Sequence, residues 1–306
     1  MAFVHLHVHT YYSILDGAAP ISSHFKKAAE DNQPALAITD HGNMFGVKEF
    51  LKVAKDFPDI KPIIGCEVYV NPEGRFSKRG KEDQSANHLI LLAKNLAGYY
   101  NLVKLVSLGY TEGYYYKPKI DKELLEKYHE NLICSSACLG GEIPQKIRKG
   151  DLEGAKESIM WYKNLFGEDY YLEVQLHKTE LPGYAEDVYE QQVIVNKAIF
   201  ELAQECGVKV IATNDVHFTR KEDGPAHDRL ICLTTNANFD DVKRLRYTQQ
   251  EYLKTEEEMA ALFPEHPEVI SNTIEIEIKL KNIKSTATIS FQYLRFRRNS
   301  LIQMNI

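Results

Sequence analysis

The chain has 306 residues, 44% of them hydrophobic and 26% charged, and a formal net charge of −6. This is enough for a full core in one or two domains, and α/β barrels of this size are often single units. The negative balance excludes a globally basic nucleic-acid surface, so any such contact has to come from local basic patches or bridging metals.

No apolar run is long enough to span a membrane, and no basic stretch leads into an apolar one at the N-terminus, so neither insertion nor secretion is expected. Cys66, Cys134, Cys138, Cys206 and Cys232 are an odd number on a long chain and suggest no disulfide framework. A reducing cytoplasm fits.

The first element, FVHLHVH at 3–9, reads as a short buried strand. Alternate side chains of a strand share one face, so two or three of His5, His7 and His9 point to one spot, and imidazole is the commonest protein ligand for transition metals. A partly exposed strand that merely carries histidines is the competing reading. Further strands are expected at 35–39, 61–70, 88–94, 131–136, 169–176 and 208–214, with helical patterns at about 21–31, 45–56, 96–109, 151–165 and 184–206. Leu15-Asp16-Gly17, Asp40-His41-Gly42 and Gly140-Gly141 punctuate the turns. Glu222-Asp223-Gly224 reads as a capping cluster for a helix at 225–235. Alternating βα units imply a mostly parallel sheet whose right-handed crossovers close on themselves.

Residues of ligand type gather at the ends of these strands. His7 and His9 end the first, Asp40-His41 follows the second, Glu67 lies in the third and His88 starts the fourth. Cys138 follows the fifth, Asp215 and His217 end the seventh, and Asp16 lies in the first strand-to-helix loop. In a parallel barrel the C-terminal strand ends share one rim, where active sites assemble. Scattered surface histidines would not fall this way.

An HxH near the N-terminus, a TDHG turn, a glutamate on the third strand, later His and Cys positions and a DxH follow in order. The pattern resembles the PHP (polymerase and histidinol phosphatase) superfamily. That resemblance implies an α/β fold: a distorted seven-stranded (β/α) barrel, TIM-barrel-like, with two or three divalent metal ions, zinc foremost and manganese or iron as alternatives. It implies metal ligands at His7, His9, Asp16, His41, Glu67, His88, Cys138, Asp215 and His217, with Glu67, Asp215 and His217 as catalytic residues. His5 lies where many members differ and stays outside the set.

Within the superfamily, FVHLHVHTYYSILDGAAPI, PALAITDHGNMFGVKEF, KPIIGCEVYV, GYYYKPKID and EYLKTEEEMAALFPEHPEVISNT resemble the N-terminal domain of bacterial replicative DNA polymerases, from about residue 3 to about 275. The implied reaction is metal-dependent 3′→5′ exonuclease cleavage. The implied partners are a DNA 3′ end, the remaining polymerase domains and proofreading or other replisome subunits, without a membrane. A stand-alone histidinol-phosphatase-like phosphomonoesterase and a non-catalytic, metal-stabilised module of the polymerase are the alternatives.

Other residues carry plainer readings. Asp40 is expected to cap a helix or orient a neighbouring histidine. Cys134, His177 and His227 are expected to be structural. Tyr114 to Lys119 interleaves aromatic and basic side chains, with Tyr115, Lys117 and Lys119 as candidate nucleic-acid contacts; a rim loop packed on the barrel is the competing reading. The basic loop Arg75 to Lys81 reads as a mobile lid or an ordinary solvated loop. The PHP domain is expected to span 1–278. Residues 279–306 form a tail without a recognisable motif, and no polymerase palm is expected, so the fragment alone would not polymerise.

Overall fold

The structure is a computed structural model that describes residues 2–80, 86–182, 184–241 and 243–283. The strands β1 (Ala35–Ile38), β2 (Lys61–Val70), β3 (Asn87–Ala93), β4 (Tyr114–Tyr115), β5 (Lys117–Ile120), β6 (Leu132–Ser135), β7 (Tyr170–Val174) and β8 (Lys209–Ala212) form one sheet. The ring runs β1, β2, β3, β6, β7, β8, while β4 and β5 make a hairpin beside the upper end of β2.

Segment 3–9 joins both ends of the ring. His5 bridges Leu36 of β1, and Val8 bridges Val216 just past β8, both in parallel. Seven chain segments thereby close a distorted barrel. The first is held by isolated bridges instead of a ladder because side chains take its backbone donors: Thr273 Oγ1 accepts from Val4 N, Thr39 Oγ1 from Val8 N and Asp40 Oδ1 from Thr10 N.

The expectation of a mostly parallel sheet holds for every ring pair except those of β3, which is antiparallel to both β2 and β6. Its N-terminal end therefore lies where its neighbours have their C-terminal ends. The β4–β5 hairpin was not foreseen; it turns at Tyr116, with φ of 61°.

Helices α1 (Ile21–Glu30), α2 (Val47–Val53), α3 (Leu96–Thr111), α6 (Leu152–Phe166), α7 (Glu186–Cys206) and α8 (Gly224–Thr235) lie where periodicity places them. The short helices α4 (Lys122–Tyr128), α5 (Glu142–Arg148) and α9 (Glu256–Leu262) have 7 residues each and, unlike the equally short α2, are not prolonged by a 3-10 turn that extends the periodic run. Local caps start two of them: Asp121 accepts from Leu124 N, and Thr255 with Glu258 forms a capping box. The cluster before α8 does not cap it. Asp223 has helical φ and ψ, and its carboxylate turns back to accept from Arg220 N at 2.8 Å.

Val4, Leu6, Ile63, Leu92, Ile133, Tyr171 and Ile211 pack together with Ile276 and Leu280 from the end of α10 (Glu268–Lys279). In strands, alternation puts Ile63 and Glu67 on one face of β2 and Tyr171 and Glu173 on one face of β7. The same faces are apolar at one end of the barrel and acidic at the other. The expected tail lies outside the described residues beyond 283.

Candidate metal centre

All nine ligand-type residues meet at one end of the barrel. His7 and His9 arrive on the N-terminal segment, Asp16 on the loop after it, His41 just past β1 and Glu67 inside β2. Cys138 follows β6, and Asp215 and His217 follow β8. His88 comes from the beginning of β3, and the reversed strand brings it here, opposite Tyr69. Asp215 has φ of 45°, a left-handed turn that re-aims the chain after β8.

Three groups of donor atoms lie within 4.8 Å of one another: His9, His41 and His217; His7, His9, Glu67 and Asp215; and Glu67, His88 and Cys138. Glu67 links the last two groups and reaches the first. Its Oε2 accepts from His7 Nε2 at 2.8 Å, while Oε1 lies 2.9 Å from His41 Nδ1 and 2.7 Å from His88 Nδ1. Asp215 Oδ1 stands 3.1 Å from His7 Nε2 and 3.0 Å from His9 Nε2. Asp16 Oδ2 lies 3.0 Å from His41 Nε2, and Cys138 Sγ 3.7 Å from His88 Nδ1.

Outer contacts set the direction of each imidazole. Ser13 donates to Asp40 Oδ1 at 2.7 Å and accepts from His9 Nδ1 at 3.1 Å, which turns His9 Nε2 towards Asp215 Oδ1 at 3.0 Å. Asp40 thus orients a histidine through Ser13. His7 Nδ1 donates to Glu173 Oε2 at 3.1 Å, and that carboxylate is itself held by Ser135 and Thr213. His217 Nδ1 donates to Asp215 O at 2.7 Å, while its buried Nε2, 3.8 Å from Asp16 Oδ2, has no hydrogen-bond partner among the described residues. An orphaned ring nitrogen among buried carboxylates fits a metal ligand.

The charges are those of a cation site. Burial pulls His7 down, but Asp215 and Glu173 outweigh it and hold its pKa well above the usual range. Burial likewise opposes protonation of His41 and His217, yet Glu67 and Asp16 raise His41 to about 10, and Asp16 with Asp215 raises His217 to about 8. Burial and the neighbouring His41 and His217 lower His9. Glu67 and Asp215 stay well below the carboxylate range because the surrounding histidines overcome burial. Burial, with Asp215 and Glu67, pushes the Cys138 thiol up. These protons neutralise carboxylates that a divalent ion would neutralise instead.

Other candidates fall outside. His5 is buried and bonds Lys254 O at 2.8 Å through Nε2, away from His7 and His9. His177 is held by Asn214 and Gln192, and His227 bonds Asp16 O at 2.9 Å. Cys134 is core. Lys119 is fully buried, with Nζ 5.2 Å from the Tyr115 ring, so it has no open face for DNA. Lys117 lies over Tyr69 at 4.2 Å, near the rim; Tyr115 is half-buried, while Tyr114 and Tyr116 are exposed. Arg75 is buried in ion pairs with Asp121, Glu112 and Glu123, so the lid expectation fails at its first residue; Lys81 lies outside the described residues.

Three contributors escape sequence reasoning: Ser13, Glu173 and Tyr247, whose hydroxyl donates to Asp16 Oδ1 at 2.9 Å. Only Glu173 leaves a trace, as an acid inside the apolar run YYLEV.

A barrel whose rim gathers histidine, carboxylate and thiol donors defines a class of metal-site proteins. Residues 5–177 match the family model described as PHP domain, and the chain belongs to the PHP-domain family. Among curated relatives, the DNA polymerase III subunit alpha of Borreliella burgdorferi is 46% identical over 286 residues, covering 93% of this chain and 24% of that protein. That of Treponema pallidum is 45% identical, with 90% and 23% covered, and that of Thermus aquaticus 44%, with 90% and 22%. The chain spans about a quarter of the length of these relatives.

Proposed function

We propose that this chain is the N-terminal PHP domain of a cytoplasmic DNA polymerase III alpha subunit and that its rim hydrolyses the terminal phosphodiester at a DNA 3′ end. The nine donors would hold two or three divalent ions, zinc foremost, with manganese or iron also suited to the set. The remaining polymerase domains would deliver the DNA, and a proofreading subunit is a further partner. The observation that carries this reading is Glu67, whose two oxygens face different donor groups, the arrangement expected of a carboxylate shared between neighbouring ions.

Bound ions would supply Lewis acidity to the phosphate and acidify a water. The chain's own residues do the positioning. Asp215 aims one oxygen between His7 and His9 while its carbonyl fixes the His217 ring, so one turn orders both sides of the site. Ser13 and Glu173 hold His9 and His7 in the orientations that present Nε2 inward.

Asp215→Asn tests the reading. Asn suits the left-handed backbone at this position and keeps size and hydrogen-bonding capacity, so circular dichroism should match the parent. Release of terminal nucleotides from a labelled single strand with Mn²⁺ or Zn²⁺ should fall at least about 100-fold, through loss of an anionic donor. Equal rates would place the nuclease elsewhere. No release by either protein would leave a metal-stabilised module of the polymerase.

A further inference from the structure

A cavity of about 200 Å³ opens beside the centre, with Cys138 and Asp215 in its wall. Leu139, Val188 and Leu245 form its apolar sides, and Gln175, Gln192 and Arg246 contribute polar groups. Leu245, Arg246, Tyr247 and Thr248 build one side, and this stretch is tied down at two points. Arg244 makes a bidentate contact to the buried Asp228, at 2.6 Å for both bonds, and Tyr247 reaches Asp16. The cavity is therefore preformed.

Its chemistry is that of a ring with a hydrogen-bonding edge. Gln175 and Gln192 are both buried. Gln175 donates Nε2 to Thr213 Oγ1 at 2.9 Å, which fixes its amide at the cavity wall. Gln192 is held by the backbone N–H and ring of His177, which fixes its amide plane. Apolar walls with a few oriented amides suit one nucleobase and sugar, and the volume is below the roughly 300–1,000 Å³ of pockets for larger ligands.

Building on the hydrolytic reading above, we propose that this cavity receives the nucleoside of the terminal nucleotide while its 5′-phosphate lies at the metal centre. Water adds to phosphorus, the P–O bond to the 3′ oxygen of the preceding nucleotide breaks, and that oxygen takes up a proton. The products are a nucleoside 5′-monophosphate and a strand one nucleotide shorter. Because the cavity takes one unit, it selects a chain end over an internal bond.

The test uses the full chain loaded with Mn²⁺ and follows dTMP and inorganic phosphate by calorimetry. Leu245→Trp and Val188→Trp fill the cavity from two elements; Leu245 is 55% exposed, so the fold has no need of it. The parent should bind dTMP at least about 10-fold tighter than phosphate. Both variants should lose that margin while keeping phosphate affinity and metal content by plasma mass spectrometry. A parent that binds dTMP no tighter than phosphate, or variants that retain the margin, would overturn the inference. Strand hydrolysis is scored separately by the Asp215→Asn comparison, so failure here with hydrolysis intact removes only the nucleoside site.

Discussion

Ser13 holds His9 to Asp40. Its hydroxyl proton goes to Asp40 at 2.7 Å, so the oxygen that meets His9 Nδ1 at 3.1 Å can only accept, and an ion taking Nε2 in place of the proton shared with Asp215 would find Nδ1 already the donor. Ser13→Ala should weaken metal binding about 10- to 100-fold, the range for partners that orient ligands. Asp40 keeps its contacts to Thr10, so the fold should hold. Competition against a chromogenic chelator reads the affinity, and Ser13→Thr should restore it; equal affinity in parent and Ser13→Ala would show that the ring is held elsewhere.

Gly140 makes room for His88. A Cβ at this position would stand 2.9 Å from His88 Nδ1 and 3.0 Å from Cγ, closer than side chains pack. Gly140→Ala should push the ring away from Glu67 and Cys138 and reduce bound metal, with the far-UV spectrum unchanged. Full metal content in the variant would remove His88 from the ligand set.

His217 Nε2 has no hydrogen-bond partner among the described residues and stands 3.8 Å from Asp16 Oδ2. A ligand at 100 times its Kd adds about 2.7 kcal/mol of stability, or about 5–10 °C in a chain of this size. Metal should raise the melting temperature of the parent by that order over chelated protein, and His217→Ala should erase most of the difference. A parent whose melting ignores chelator would show a site that contributes no stability.

Lys254 is buried, with Nζ near Asn214 Oδ1, and burial lowers its pKa from 10.5 to about 8. Between those values the unfolded chain binds the extra proton, so this group makes stability rise with pH from about 8 to 10.5 and costs most below 8. The full span is at most about 3.5 kcal/mol. Lys254→Met should flatten that rise, read as urea midpoints at pH 7.5 and 10; parallel slopes in both proteins would show a solvated ammonium.

Much of this arrangement is legible along the chain, because ligand residues cluster where local patterns end. β2 falls on the expected 61–70, and the DVH after β8 follows a clear strand. What local patterns cannot carry is direction. Nothing in NHLILLA says that β3 runs backwards, since alternation and β propensity are the same both ways. Side-chain bonds to the backbone also broke the simple picture of segment 3–9, sending His5 away from His7 and His9. Ser13, Glu173 and Tyr247 act through partners distant in sequence, which no spacing rule reveals.

The reversed β3 also orders how the centre can assemble. As adjacent antiparallel strands, β2 and β3 put Glu67 and His88 together across 21 positions, whereas His7 meets Asp215 across 208. Loop closure grows with the logarithm of length, so the second contact costs about 2 kcal/mol more chain entropy than the first. The hairpin half of the centre is the local one, and the His7–Asp215 contact is the clasp that waits for the last strand. A cation held by both works as a late staple, its affinity recording whether the ring has shut.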